Sequence, residues 1–198
     1  MAYQTVFLEC PGCGARIRPE QTECDFCHGP IIVSSFNTVD SIPAPRLSRY
    51  AKAYESKAGE LPGDGQVSLG LGLIYLKLSQ YEKAMSAFDA AITEDFNNSE
   101  AYFYAAVSTM KGRKPFVLMR PEIDKVVTYL NDAVMLEPRG IYYYFLAYIK
   151  YDYFSRKFLR NPPDYRELLA TAKRFGYSPY DVRQLFDMLK QDRPAALQ

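Results

Sequence analysis

The sequence predicts a mainly α-helical protein that begins with a small cysteine-containing module with short β-strands. Two observations support this prediction. All four cysteines of the 198-residue chain lie between positions 10 and 27. From Gln66 onward, segments with apolar residues at helical spacing alternate with short breaks, and no stretch shows sustained alternation of apolar and polar residues. We therefore expect little sheet outside the first module.

The composition is that of a soluble globular protein, with 48% hydrophobic and 24% charged residues. The formal net charge of +1 provides no global positive field that would attract nucleic acid or an anionic membrane. The chain has no run of about 18 apolar residues and no visible secretory signal. We therefore expect a soluble, cytoplasmic protein.

The cysteines form two C-x2-C pairs separated by ten residues. Two residues between thiolates let each pair hold one metal ion from a tight turn, and two such turns complete a tetrahedral four-sulfur site. Such a site leaves no open position for a water nucleophile, so the metal is structural. The sequence therefore predicts one structural Zn²⁺ per chain. The predicted ligands are Cys10, Cys13, Cys24 and Cys27.

Three other uses of these cysteines are open at this point. Two disulfides would require an oxidising compartment, and a redox-active pair would normally lie in a βαβ setting. Iron uses the same four ligands, usually with the pairs farther apart. His28, the only histidine, is expected to lie beside the metal or to face solvent rather than to replace a sulfur. The run from Cys10 to Cys27 resembles the short zinc-ribbon family, which implies a β ribbon folded by its metal.

The predicted ribbon covers residues 1–33, and a linker covers 34–45, where Pro43 and Pro45 interrupt regular structure. The helical domain is predicted over 46–198 and opens with a helix that carries Leu47 and Tyr50 on one face.

Paired helices follow this first helix. Small residues at Gly72, Ala84 and Ala91 allow two helices to approach closely, and Tyr75 and Phe88 fill the space between them. This pattern resembles the tetratricopeptide-repeat (TPR) family. The resemblance covers 66–177 and implies an α-helical solenoid of about three helix pairs with flanking helices.

The second and third helix pairs match the repeat less closely. The second carries about eight extra residues near 114–121. This insertion, with its apolar part from Phe116 to Met119, is either a partner-contacting loop or part of a longer helix. The third includes Ala147 and Tyr148. A last helix with Ser178 as its N-cap is expected to close the array.

The TPR resemblance implies a concave groove that accepts an extended peptide or a helix. The residues in the corresponding register are apolar, which favours an amphipathic helix or an apolar peptide over an acidic tail. The alternative is that the chain's own helices cover this face. The predicted groove residues are Leu69, Leu73, Leu76, Phe103, Val107, Met110, Phe145, Ile149 and Tyr153.

A second candidate surface combines basic and aromatic residues between positions 150 and 174. Such a mixture is found in single-stranded nucleic-acid binding, but the sequence favours the alternative of a solvated helix face. The basic residues predicted to meet an anionic partner are Lys150, Arg156, Lys157, Arg160, Lys173 and Arg174.

The sequence shows no reactive centre. Its one histidine stands beside a filled metal site, and no cysteine is left over as a nucleophile. We therefore expect a non-enzymatic scaffold or adaptor that binds protein partners. The alternative is an adaptor that binds nucleic acid through the ribbon and the 150–174 region.

Overall fold

The computed structural model describes residues 7–198 and comprises two compact units, one ending at Phe96 and the other beginning at Asn97. The described residues are mainly helical, which confirms the predicted class. The β-strands predicted for the first module are not formed in the described part of the chain. The module instead contains two isolated antiparallel β-bridges, one between Glu9 and Arg16 and one between Glu23 and Pro30.

The first unit contains four helices after the cysteine module: α1 (Phe36–Asp40), α2 (Ala44–Glu60), α3 (Gly65–Lys77) and α4 (Tyr81–Glu94). Asp64 is the N-cap residue of α3, and its carboxylate accepts hydrogen bonds from the amides of Gln66 and Val67.

The segment 34–45, which the sequence predicts as a linker, is largely packed. It contains α1, and its apolar residues Phe36, Val39 and Ile42 are buried. Ser35 caps this short helix by accepting a hydrogen bond from the amide of Thr38. The segment therefore joins the core of the first unit.

Helices α3 and α4 pack closely against each other. A Cβ atom at Gly72 would lie 2.5 Å from Cε1 of Phe88, so only glycine allows the ring to sit where it does. Ala84 and Ala91 are fully buried beside it. The contact is the close approach that the spacing of small residues predicts.

The second unit contains five helices: α5 (Ser99–Met110), α6 (Arg120–Leu136), α7 (Gly140–Ile149), α8 (Tyr165–Phe175) and α9 (Pro179–Leu189). Helix α6 packs against α5, α7 against α6, and α8 against α7. The extra residues before α6 form a loop with one 3-10 turn, Pro115–Val117. Helix α7 continues into a π-helical turn, Lys150–Phe154, and a 3-10 turn, Ser155–Lys157.

The aromatic stretch of α7 forms much of the core of the second unit. Tyr142, Tyr144 and Tyr148 are almost completely buried, and the hydroxyl of Tyr144 donates to the carbonyl oxygen of Leu197 at 2.8 Å. The hydroxyl of Tyr142 lies 3.2 Å from that of Ser99, so both of these buried hydroxyls have hydrogen-bond partners. None of the described helices is both long enough and apolar enough to cross a membrane.

Candidate metal centre

Two turns of the same design form the cysteine module. In the first, the amide of Cys10 donates to the carbonyl of Ala15, and the amide of Gly14 donates to the carbonyl of Cys10. The second turn repeats both bonds fourteen residues later, around Cys24. Gly14 and its counterpart His28 both have positive φ angles, 78° and 52°. The module is therefore a duplicated turn, each copy closed by a single bridge rather than by a strand ladder.

The four sulfur atoms converge on one point. The Sγ atoms of Cys10 and Cys27 are 3.6 Å apart, and those of Cys13 and Cys24 are 3.7 Å apart. All four sulfurs lie within 4.8 Å of one another. Tetrahedral coordination with metal–sulfur bonds of about 2.3 Å separates neighbouring sulfurs by about 3.8 Å. The donor set therefore fits a single metal ion.

The sulfur distances exclude disulfide bonds among these cysteines in this structure. A disulfide requires sulfurs about 2.05 Å apart, and all four cysteines are free.

Burial and backbone amides act in opposite directions on the thiols. Burial raises the pKa of Cys10 to about 12, although the amides of Gly12 and Cys13 oppose the shift. Burial also raises the pKa of Cys24, but the amides of Cys27 and Phe26 outweigh it and lower the pKa to about 7. Amide donors near sulfur stabilise the thiolate, which is the form that binds metal.

Helix α2 supports the module from one side. The hydroxyl of Tyr50 donates to the carbonyl of Pro30 at 2.7 Å, and Nη1 of Arg46 donates to the carbonyl of Cys27 at the same distance. A Cβ atom at Gly12 or Gly29 would lie 2.9 or 2.5 Å from the Tyr50 side chain. Both glycines therefore let the tyrosine pack directly on the backbone of the two turns.

His28 lies outside the group of convergent ligands. Its side chain is 76% exposed, and its Nδ1 lies 3.3 Å from a carboxylate oxygen of Glu23. The four sulfurs form a complete set without it.

The structure places all nine predicted groove residues in the core, with exposed fractions between 0% and 6%. A buried side chain offers no apolar surface to a partner. Helical periodicity identifies the apolar face of a helix but does not reveal whether another element covers it, which is why the sequence left both an open groove and a covered face possible. The residues concerned are Leu69, Leu73, Leu76, Phe103, Val107, Met110, Phe145, Ile149 and Tyr153.

The six basic residues of the predicted anionic-partner patch do not share one environment. Lys150 is buried, and Arg156 forms an ion pair with Asp152. The Nζ of Lys157 lies 3.8 Å from the centroid of the Tyr153 ring. Arg160 is exposed in the loop before α8. Lys173 and Arg174 lie in the last turn of α8, where positive charges interact favourably with the helix dipole.

The exposed apolar surface of the second unit consists of side chains from two segments, the loop before α6 and the turn after α7. Arg156 connects the two segments, because its guanidinium lies 4.6 Å from the centroid of the Phe116 ring. The loop part was predicted from its apolar run, whereas Phe158 follows two basic residues and gives no periodic signal. The members and their exposed fractions are Phe116 (37%), Val117 (64%), Met119 (74%), Phe158 (96%) and Leu159 (45%).

The fold and the site define a mainly helical protein with a four-cysteine centre that could hold a metal ion. Comparison with protein-family descriptions, with curated proteins and with solved structures finds no match. The zinc-ribbon and TPR likenesses therefore stay resemblances in sequence pattern.

Proposed function

We propose that this protein is a non-enzymatic adaptor. In this proposal a structural zinc ion holds the cysteine module, TPR-like helix pairs form the scaffold, and the exposed apolar surface binds a protein partner.

The four-sulfur geometry supports zinc as the metal. Thiolates are soft ligands that select zinc or iron, and zinc adopts a closed tetrahedral set at structural sites. The described residues place no other potential ligand in the group. A closed set gives the ion a structural role and no catalytic one.

The close pairing of α3 with α4 supports the TPR-like scaffold. Gly72 faces the ring of Phe88, and the small residues of α4 are buried beside it. The pairs α5–α6 and α7–α8 follow in order along the second unit. Consecutive packed helix pairs are the building units of helical-repeat scaffolds.

The exposed apolar surface is the observation that carries the adaptor proposal. Phe158 is 96% exposed and Met119 is 74% exposed. Large apolar side chains clustered in water and bordered by polar groups mark interaction sites. Lys157 and Arg160 adjoin this surface, so the partner is expected to combine apolar anchors with acidic residues, as an acidic amphipathic helix does.

Nucleic-acid binding is the competing function. It is less well supported because two of the basic side chains already have partners: Arg156 pairs with Asp152, and Lys157 lies over the Tyr153 ring. A phosphate backbone would have to compete with both interactions.

Quantitative co-precipitation from native lysate tests the adaptor proposal. The wild type is compared with Phe158→Ser and Met119→Ser, and with Met135→Ser as the matched control, since Met135 is 78% exposed and outside the surface. We expect specific proteins to be retained by the wild type and the control but lost by the two surface variants, and to carry acidic amphipathic segments. Equal recovery with all variants would contradict the proposal. Tight RNA binding with a steep salt dependence would favour the competing function instead.

A further inference from the structure

A cavity of about 350 Å³ opens in the second unit between the π-helical turn after α7 and the beginning of α8. Part of its wall is apolar, formed by Phe154, Leu159 and Pro162. The basic side chains on its wall are Lys150, Arg160 and Arg166. The cavity lies at the lower end of the size range of small-molecule sites.

Lys150 is buried without a carboxylate partner. Only 7% of the residue is exposed. Its Nζ donates to Oδ1 of Asn161 at 2.7 Å, lies 3.4 Å from the carbonyl oxygen of the same residue, and is 5.2 Å from the centroid of the Phe154 ring. Among residues 7–198, no acidic side chain lies within ion-pair distance of it. Buried charges are normally paired, because an uncompensated charge in a low-dielectric site costs several kcal/mol.

The positive charges around Lys150 make the burial of its ammonium group still less favourable. Burial, and then the positive charge of Arg120, lower the pKa of Lys150. Arg160 and Arg166 form no ion pair within the described part of the chain. Two carboxylates also line the cavity. That of Asp164 already accepts the amides of residues 166 and 167 as the N-cap of α8, and that of Glu167 is on an exposed residue.

The geometry points to a binding site for a phosphate group in this cavity, with Lys150 at its base and Arg160 and Arg166 at its rim. A phosphate group would give the buried ammonium of Lys150 the negatively charged partner that it lacks. Guanidinium groups bind phosphate oxygens through paired hydrogen bonds. The amides of residues 166 and 167 at the start of α8 are not available to the ligand, because they donate to Asp164. The cavity shares Leu159 with the exposed apolar surface, but it contains neither Phe158 nor Met119, the two residues that the partner experiment changes.

Isothermal titration of the full chain with inorganic phosphate, at constant ionic strength with chloride as the balancing anion, tests the site. We expect about one bound phosphate per chain. Arg160→Gln and Arg166→Gln should each weaken binding roughly tenfold, because each removes a charge-assisted hydrogen bond. Lys150→Met should weaken it most. The two arginine variants change exposed residues, so they keep the test valid if the lysine variant folds poorly.

Arg174→Gln is the matched control, because it removes the same charge from an exposed position at the other end of α8. It should bind phosphate as the wild type does. A parallel titration with phenyl phosphate distinguishes the source of the group: tighter binding than inorganic phosphate indicates an ester, and equal or weaker binding indicates the free ion. Absence of binding of both compounds, or an equal loss in the Arg174 variant, would overturn the proposal.

Discussion

Tyr50 donates its phenolic hydrogen to the carbonyl oxygen of Pro30 at 2.7 Å and thereby fixes α2 to the second cysteine turn. One helical turn further on, the hydroxyl of Tyr54 accepts a hydrogen bond from the amide of Val33 at 2.6 Å. Residues four apart lie on the same face of a helix, so both tyrosines hold the module from one side. The stability of the cysteine module and the position of α2 are therefore linked.

Gly29→Ala should destabilise the first unit. The added methyl group would lie 2.5 Å from the Tyr50 hydroxyl, so the ring or the turn has to move. Overpacking of this kind costs about 1–3 kcal/mol. Urea unfolding of the metal-loaded protein measures the change in the free energy of unfolding.

Gly59→Ala is the control for this substitution. Gly59 lies in α2, and a methyl group there would meet no atom within 4 Å. Because alanine is the better helix former, we expect no loss and a gain of up to about 1 kcal/mol. Equal destabilisation by both substitutions would show that the Tyr50 contact is not responsible.

Removal of the metal should unfold the cysteine module and leave most of the helical signal in circular dichroism. The protein as purified should contain about one zinc per chain. A ligand present at about 1,000 times its Kd stabilises the folded state by about 4 kcal/mol, so chelation should lower the unfolding temperature clearly. Metal analysis and thermal unfolding with and without a chelator measure both effects.

Two variants distinguish metal loss from other effects of the chelator. The double variant Cys13→Ser with Cys24→Ser should reproduce the chelated state without any chelator. His28→Ala should retain its zinc, because the exposed histidine is not among the convergent ligands. A folded wild-type protein with four reactive thiols and no metal would refute the zinc proposal.

Local patterns made the convergence of the four cysteines and the first helix pair predictable. Two thiolates separated by two residues fit a single turn, so the spacing alone identifies Cys10, Cys13, Cys24 and Cys27 as candidate ligands. The α3–α4 contact also depends on residues close in sequence.

The shape of the cysteine module was predicted less well, although its signal is in the sequence. One pattern occurs twice, fourteen residues apart. Glu9, Cys10, Cys13 and Ile17 correspond to Glu23, Cys24, Cys27 and Ile31. Each run folds as a turn with its own hydrogen bonds, so the module brings its cysteines together without the predicted β-strands. The linker prediction relied on Pro43 and Pro45 and overlooked the apolar residues of α1.

The pH dependence of the second unit should include a contribution from Glu122. Its carboxylate accepts a hydrogen bond from the amide of Met119 at 2.9 Å and forms an ion pair with Arg113. The amide of Met119, followed by the charge of Arg113, lowers the pKa of Glu122 against the opposing effect of burial. A carboxyl with a lower pKa in the folded state stabilises that state above its unfolded pKa of about 4.3, and the contribution disappears as the pH falls through the folded pKa.

Glu122→Gln keeps a side-chain acceptor for the amide and removes only the charge. We expect this variant to be less stable than the wild type at pH 7 by no more than about 1 kcal/mol, because the ion pair is partly exposed. The difference should shrink below about pH 4 and vanish once the wild-type carboxyl is protonated. Denaturant unfolding from pH 7 to pH 2 measures it, with Glu94→Gln at the end of α4 as the control. A constant difference across this range would mean that the charge of Glu122 does not stabilise the fold.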